Sequence, residues 1–192
     1  AKDRRISVEE PQMRHGRKSK SQLIDGYKRH IATDIDSGLV LACALTPANR
    51  PEAEATPSLE QDLEAQGLKV DVLLVDQAFV NSSLAQEVRE RGGQVRCRPR
   101  VSHNGELFRK EDFELDLEQM TIRCPAGQQQ PIQLGKTVTF EAQQCRDCLL
   151  RSTCTQSKSG RTVSIAADEP VQQQLRERIK DSQGRAELRE RV

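Results

Sequence analysis

Val70-Asp71-Val72-Leu73-Leu74-Val75-Asp76, followed at once by Gln77-Ala78-Phe79-Val80-Asn81-Ser82-Ser83, is the stretch on which the reading of this chain turns. A short apolar run rich in β-branched residues, flanked by turn and helix-start signals, predicts a strand buried on both faces. Asp76 then falls at the carboxyl end of a core strand, where α/β sheets place their chemistry. A carboxylate buried there must be ligated, paired or protonated, because an unpaired charge is costly. Two readings of Asp76 follow. It is a metal ligand, or it caps the next turn through backbone N–H groups.

Working outward, Tyr27 to Ile35, Asp36-Ser37-Gly38 and Leu39 to Thr46 predict a β-hairpin whose turn places Gly38 in the left-handed region. The second strand is apolar on both faces and is therefore expected to be central. Pro47 to Pro51 breaks the sheet. Thr56 reads as an N-cap with Pro57 at the first helical position, Leu59 and Leu63 as the buried face, and Gly67 as the stop. Asn81 reads as the cap of a second helix with Leu84 and Val88 inward, ended by Gly92-Gly93. Gln94 to Arg98 reads as a further strand. The order β-β-α-β-α-β predicts an α/β fold: one mixed-direction sheet with helices on its faces.

Composition narrows the class. The chain has 192 residues, 3% of them aromatic and 31% charged, so its core must be aliphatic. A net charge of +1 means that nucleic-acid binding would need a local basic patch. Leu39 to Leu45 is the longest apolar run, too short to cross a bilayer. With no signal-peptide pattern, the expected location is cytoplasmic, with no membrane partner. The chain opens on Ala1 in a polar segment and reads as a piece of something longer. Arg14, His15, Arg17, Lys18 and Lys20, then Lys28, Arg29 and His30, could contact phosphates or form a solvated basic surface.

Of six cysteines, Cys43 and Cys97 read as small buried hydrophobes. Cys124, Cys145, Cys148 and Cys154 have the spacing of a tetrahedral thiolate site, with structural Zn²⁺ first and an iron–sulfur cluster behind it. Free thiols or two disulfides stay open as alternatives. Around them, Phe113–Leu117 and Met120–Cys124 predict a hairpin across Glu118-Gln119, and Val138–Phe140 and Arg161–Ile165 predict short strands. Large apolar residues are few here, so a metal staple would help the segment hold together. Val171 to Ile179 predicts a helix with Leu175 and Ile179 inward, then a break at Ser182-Gln183-Gly184.

Several runs together carry a resemblance: Arg14-His15-Gly16-Arg17-Lys18-Ser19, Gly26-Tyr27-Lys28-Arg29-His30, Leu45-Thr46-Pro47-Ala48-Asn49, Asp76-Gln77-Ala78-Phe79, Cys124-Pro125-Ala126-Gly127 with the later cysteines, and Gly184 to Val192. In that order, over essentially the whole chain, the sequence resembles the DDE transposases of bacterial insertion sequences. The resemblance implies a ribonuclease-H-like fold in which three carboxylates hold two divalent ions, Mg²⁺ or Mn²⁺. It implies DNA as partner, both transposon ends and target, and a homo-oligomer at full length. Asp76 matches the second acid of the triad. The first belongs upstream of residue 1, and the third lies on a helix just beyond the stretch that stops here at Val192. Glu187 and Glu190 read as exposed helix charges, and Asp34 and Asp36 as turn residues.

The expected layout is a basic polar arm (1–22), a partial ribonuclease-H-like core (23–99), a β-rich insertion carrying the four clustered cysteines (100–165) and a helical segment (166–192) leading towards the third acid. The expected function is metal-dependent DNA cleavage and transfer, incomplete and inactive in this chain alone. The alternative is a non-catalytic, metal-stapled DNA-binding remnant of a decayed element.

Overall fold

Alternation of side chains along two long strands builds the first sheet. In the computed structural model, which describes residues 3–17 and 20–189, β2 (Leu23–Thr33) and β3 (Val40–Pro47) run antiparallel from Tyr27↔Pro47 to Thr33↔Val40. In their turn Asp34 Oδ2 accepts the Ser37 N–H at 2.9 Å and Gly38 takes φ 69°. β1 (Arg14–Arg17) pairs with the start of β2, from Arg14↔Gly26 to Arg17↔Leu23. Residues 14–17 are therefore a strand within the stretch expected as an arm. Gly16 makes this possible, since a Cβ there would lie 2.2 Å from the Ala48 carbonyl oxygen.

β3 is an edge strand and not a central one. Ala42, Ala44 and Thr46 are buried, while Cys43 and Leu45 on the opposite face are exposed. α1 (Thr56–Ala65) packs on this strand. Cys43 N–H donates to Asp62 Oδ2 at 3.2 Å, and Gln66 Nε2 donates to the Leu41 carbonyl at 2.6 Å. Helix side chains thus satisfy ladder groups that a neighbouring strand was expected to fill. The same openness makes Cys43 exposed, not the buried hydrophobe its apolar strand implied.

Both expected caps shift by one residue. Thr56 starts α1 after a 3-10 turn over Glu52–Ala55, and its hydroxyl donates to the Ala53 carbonyl at 2.7 Å. α2 (Ser83–Glu90) is capped by Ser82, whose Oγ accepts the Ala85 N–H at 3.3 Å. Leu59 and Leu63 of α1 and Leu84 and Val88 of α2 are buried, as their spacing predicts. β4 (Val72–Leu74) and β5 (Gln94–Arg96) pair in parallel with α2 as the crossover, forming a sheet separate from β1-β2-β3. Among the described residues only β5 pairs with β4, and β4 is not buried on both faces: Val72 is 42% exposed. The single mixed sheet expected from element order is thus two sheets. Where a break was expected, α6 (Ser182–Glu187) forms, capped by Asp181 Oδ1 accepting the Gly184 N–H at 2.6 Å. Glu187 is not an exposed charge but pairs with Arg178 at 2.7 Å and Arg96 at 3.5 Å.

These elements belong to one unit, residues 1–98 with 178–192; residues 99–177 form a second. In the second unit β6 (Glu114–Asp116), β7 (Thr121–Arg123) and β8 (Gln129–Pro131) form an antiparallel meander. β9 (Thr137–Thr139) pairs antiparallel with β10 (Thr162–Ser164), and α3 (Ala142–Arg146) and α4 (Arg151–Cys154) lie between them in sequence. The segment is not poor in core. Phe113, Ile122, Ile132, Val138, Phe140, Val163 and Ile165 cluster with Cys145. Single inward residues contributed by separate three-residue strands make a core that no local run reveals.

α5 (Glu169–Arg178) follows, with Leu175 buried and Ile179 beyond its end. Glu169 is fully buried and pairs with Lys110 and, at 2.6 Å, with Arg176, while accepting the Ala166 N–H at 3.1 Å. Burial pushes its carboxyl up, but the Lys110 and Arg176 bonds outweigh this and hold it below the ordinary 4.5. A depressed folded pKa means that the contribution is complete above the unfolded value and is lost as pH falls through the folded one. Glu169→Gln is expected to cost about 3 kcal/mol, and the wild-type advantage should shrink with acidification below about pH 4.5. Hydrogen exchange of residues 99–177 as a function of pH measures both.

Candidate functional site

Asp76 stands two residues beyond β4, and the intervening Val75 N–H donates to the Arg96 carbonyl at 3.0 Å, extending the parallel pairing. The half-buried Asp76 carboxylate accepts the Ala78 N–H through Oδ1 at 2.9 Å. The Phe79 N–H returns to the Asp76 carbonyl at 3.2 Å, and the turn runs on to Ser82 and α2. The capping reading of Asp76 is therefore realised. It does not exclude ligation, because a carboxylate offers about four acceptor positions.

The residues after Asp76 fix this turn. The Gln77 amide donates to the Arg98 carbonyl and reaches Cys97 Sγ at 3.4 Å. Phe79 meets His30 edge-on, with ring centroids 5.8 Å apart. His30 is buried, its Nε2 is 2.9 Å from Thr46 Oγ1, and burial holds its pKa below the ordinary value against the opposing pull of Glu52. His30 thus supports the Asp76 turn and does not belong to a phosphate-facing run. Period-two alternation along β2 carried this signal, since Lys28 and His30 share one face and Arg29 takes the other.

The basic residues divide in the same way. Arg14 is held by Asp3 at 2.9 Å and by the carbonyls of Pro11 and Met13, and it keeps the Asp3 carboxyl below its usual range. His15 Nδ1 lies 2.5 Å from Asp25 Oδ1 across the β1–β2 pair. Lys28 donates to the Arg50 carbonyl at 2.9 Å with Glu52 at 3.7 Å. Arg17, Lys20 and Arg29 are exposed, with Arg17 Nη1 at 3.4 Å from the Lys20 carbonyl. Lys18 lies outside the described residues.

In the second unit Cys124, Cys145, Cys148 and Cys154 line one cavity. Cys145 belongs to the apolar core, and Cys124 and Cys154 pack against it. Burial pushes the Cys154 thiol up; Arg161 pulls it down, and the other three cysteines add to the rise. Among the described residues no group of three or more His, Cys, Asp or Glu side chains is arranged to hold a metal ion, at Asp76 or at the cysteines. Among them, too, no helix is long and apolar enough to cross a membrane.

The sequence profile of the transposase DDE domain matches residues 3–178. The chain belongs to that family. No curated protein and no solved structure matches it.

Because an amide oxygen can accept the Ala78 N–H as a carboxylate does, Asp76→Asn should leave the unit's stability within about 0.5 kcal/mol. Asp76→Ala loses the bond and should cost about 1 kcal/mol. Denaturant unfolding of the two variants provides the comparison.

Proposed function

We propose that this chain serves metal-dependent DNA strand cleavage and transfer in transposition, with Asp76 supplying one carboxylate ligand to Mg²⁺ or Mn²⁺. The observation that carries this reading is the position of Asp76 just past the carboxyl end of the parallel pair β4–β5, in a chain of the transposase DDE family. The hairpin β2–β3, helix α1 and the β4-α2-β5 crossover support a ribonuclease-H-like core. Hard divalent ions favour carboxylate oxygen. Bound there, two such ions would activate the attacking oxygen and stabilise the leaving one. The chain's own part is to hold the Asp76 carboxylate in place through the Ala78 N–H, with Gln77 and Phe79 anchored on either side.

A single carboxylate cannot position two ions, and the described residues gather no group of three metal-binding side chains. Cleavage on this reading needs two further acids beside Asp76. A second reading, a non-catalytic DNA-binding role, is supported by the exposed Arg17, Lys20 and Arg29. We take DNA, as transposon end and target, to be the partner, and a homo-oligomer to be the working form.

Two experiments test these assignments. In an active transposase of this family that carries the same Asp-Gln-Ala-Phe run, Asp→Asn at the matching position should lower Mg²⁺-dependent strand cleavage at least about 100-fold with DNA affinity nearly unchanged. Substantial cleavage by that variant would remove Asp76 from the site. Separately, replacing Arg17, Lys20 and Arg29 together with Ala should flatten the dependence of log affinity on log salt by about 2.7, from about 0.9 per phosphate contact. Arg14→Ala, already committed to Asp3, should change that slope little. Equal effects of the two would return the exposed set to a solvated surface.

A further inference from the structure

The cavity of the second unit carries an assignment independent of Asp76. Its cysteines arrive from four places: Cys124 just past β7, Cys145 in α3, Cys148 in the link between the helices and Cys154 closing α4. Four thiols from separated parts of a chain seldom line one small space without a shared task. The free volume is about 20 Å³, room for one water-sized occupant. The Leu150 N–H points to Cys148 Sγ at 3.4 Å.

Charge balance points the same way. Four thiolates around a divalent ion leave a net charge near −2, which a half-buried site must offset. Arg151 and Arg161 both line the cavity. Arg161 is fixed there by the Phe108 carbonyl at 2.8 Å and lies over the Phe113 ring at 5.4 Å. Gln128 Oε1 and Arg161 Nε, on the same lining, are buried with no hydrogen-bond partner among the described residues. Against this, the side chains as placed are not arranged to hold an ion. Each cysteine has one side-chain torsion, so convergence needs χ1 rotation about a backbone that already surrounds the cavity.

We propose that Cys124, Cys145, Cys148 and Cys154 converge on a single Zn²⁺, a closed tetrathiolate site that fastens α3, α4 and the end of β7 together. Because the unit has its own apolar core, the ion secures this corner and is not needed to fold the whole.

The test uses the full 192-residue chain purified under reducing conditions. Elemental analysis should find about one Zn per chain. Co²⁺ titrated into chelated protein should give a saturating thiolate charge-transfer band at one equivalent that Zn²⁺ abolishes. Cys145→Ser should weaken binding by more than the roughly 10–100-fold that loss of an outer-shell partner causes, whereas Cys43→Ser should leave it unchanged. Cys148→Ser provides the same reading with the core residue Cys145 intact, should the first variant fold poorly. Chelation should raise protease cutting within residues 142–157 while residues 113–132 stay protected. Metal-free protein with all four thiols freely titratable, two disulfides in their place, or iron with acid-labile sulfide would each overturn the proposal. So would Co²⁺ binding that both serine variants retain.

Discussion

The parallel pairing of β4 with β5 is the constraint on which the candidate active site depends. Parallel strands cannot be joined by a tight turn; they need a crossover, here α2. The crossover fits only if the chain turns sharply between α2 and β5, and Gly93 permits this. A Cβ there would sit 2.8 Å from the Asp71 carbonyl oxygen and from Val88 Cγ1. The turn is clamped by Gly93 N–H to the Val88 carbonyl at 2.8 Å and Gln94 N–H to the Asp71 carbonyl at 2.7 Å. With both ends of the crossover fixed, the chain leaving β4 can go only into the Asp76 turn.

The two roles that sequence context offered for Asp76 need not be rivals. The backbone bond from Ala78 orients the carboxylate, and an oriented carboxylate is what metal chemistry requires. Capping and ligation are thus compatible uses of one side chain. The surrounding contacts are of the same kind: Gln77 ties the turn to the segment after β5, and His30 abuts Phe79 from β2. None of these neighbours is itself an acid, which is why this geometry describes a carboxylate held in place and not an assembled triad.

Local chemistry was legible in the sequence wherever it depended on neighbours along the chain. The Asp34–Gly38 turn, the buried Leu59, Leu63, Leu84 and Val88, and the hairpin of β6 with β7 all follow from spacing within a few residues. What did not follow depended on distant partners. An apolar strand such as β3 looks central whether another strand or the side chains of Asp62 and Gln66 complete its edge. A basic run looks uniformly free until Asp3, Asp25 and Glu52 claim Arg14, His15 and Lys28. The core of the second unit, assembled from isolated residues of several short strands, left no periodic trace. Cysteine spacing did single out the four residues that line one cavity, because thiols are rare enough for position alone to inform.

The central claim is that the Asp76 turn is a divalent-ion site in the making, and paramagnetic broadening tests it most directly. Mn²⁺ titrated into the isotope-labelled chain should broaden amide resonances of residues 75–79 first and most strongly, and Asp76→Asn should abolish that preference while the remaining spectrum persists. Broadening spread evenly over the exposed acids, or centred on residues 75–79 but unchanged in Asp76→Asn, would contradict the account.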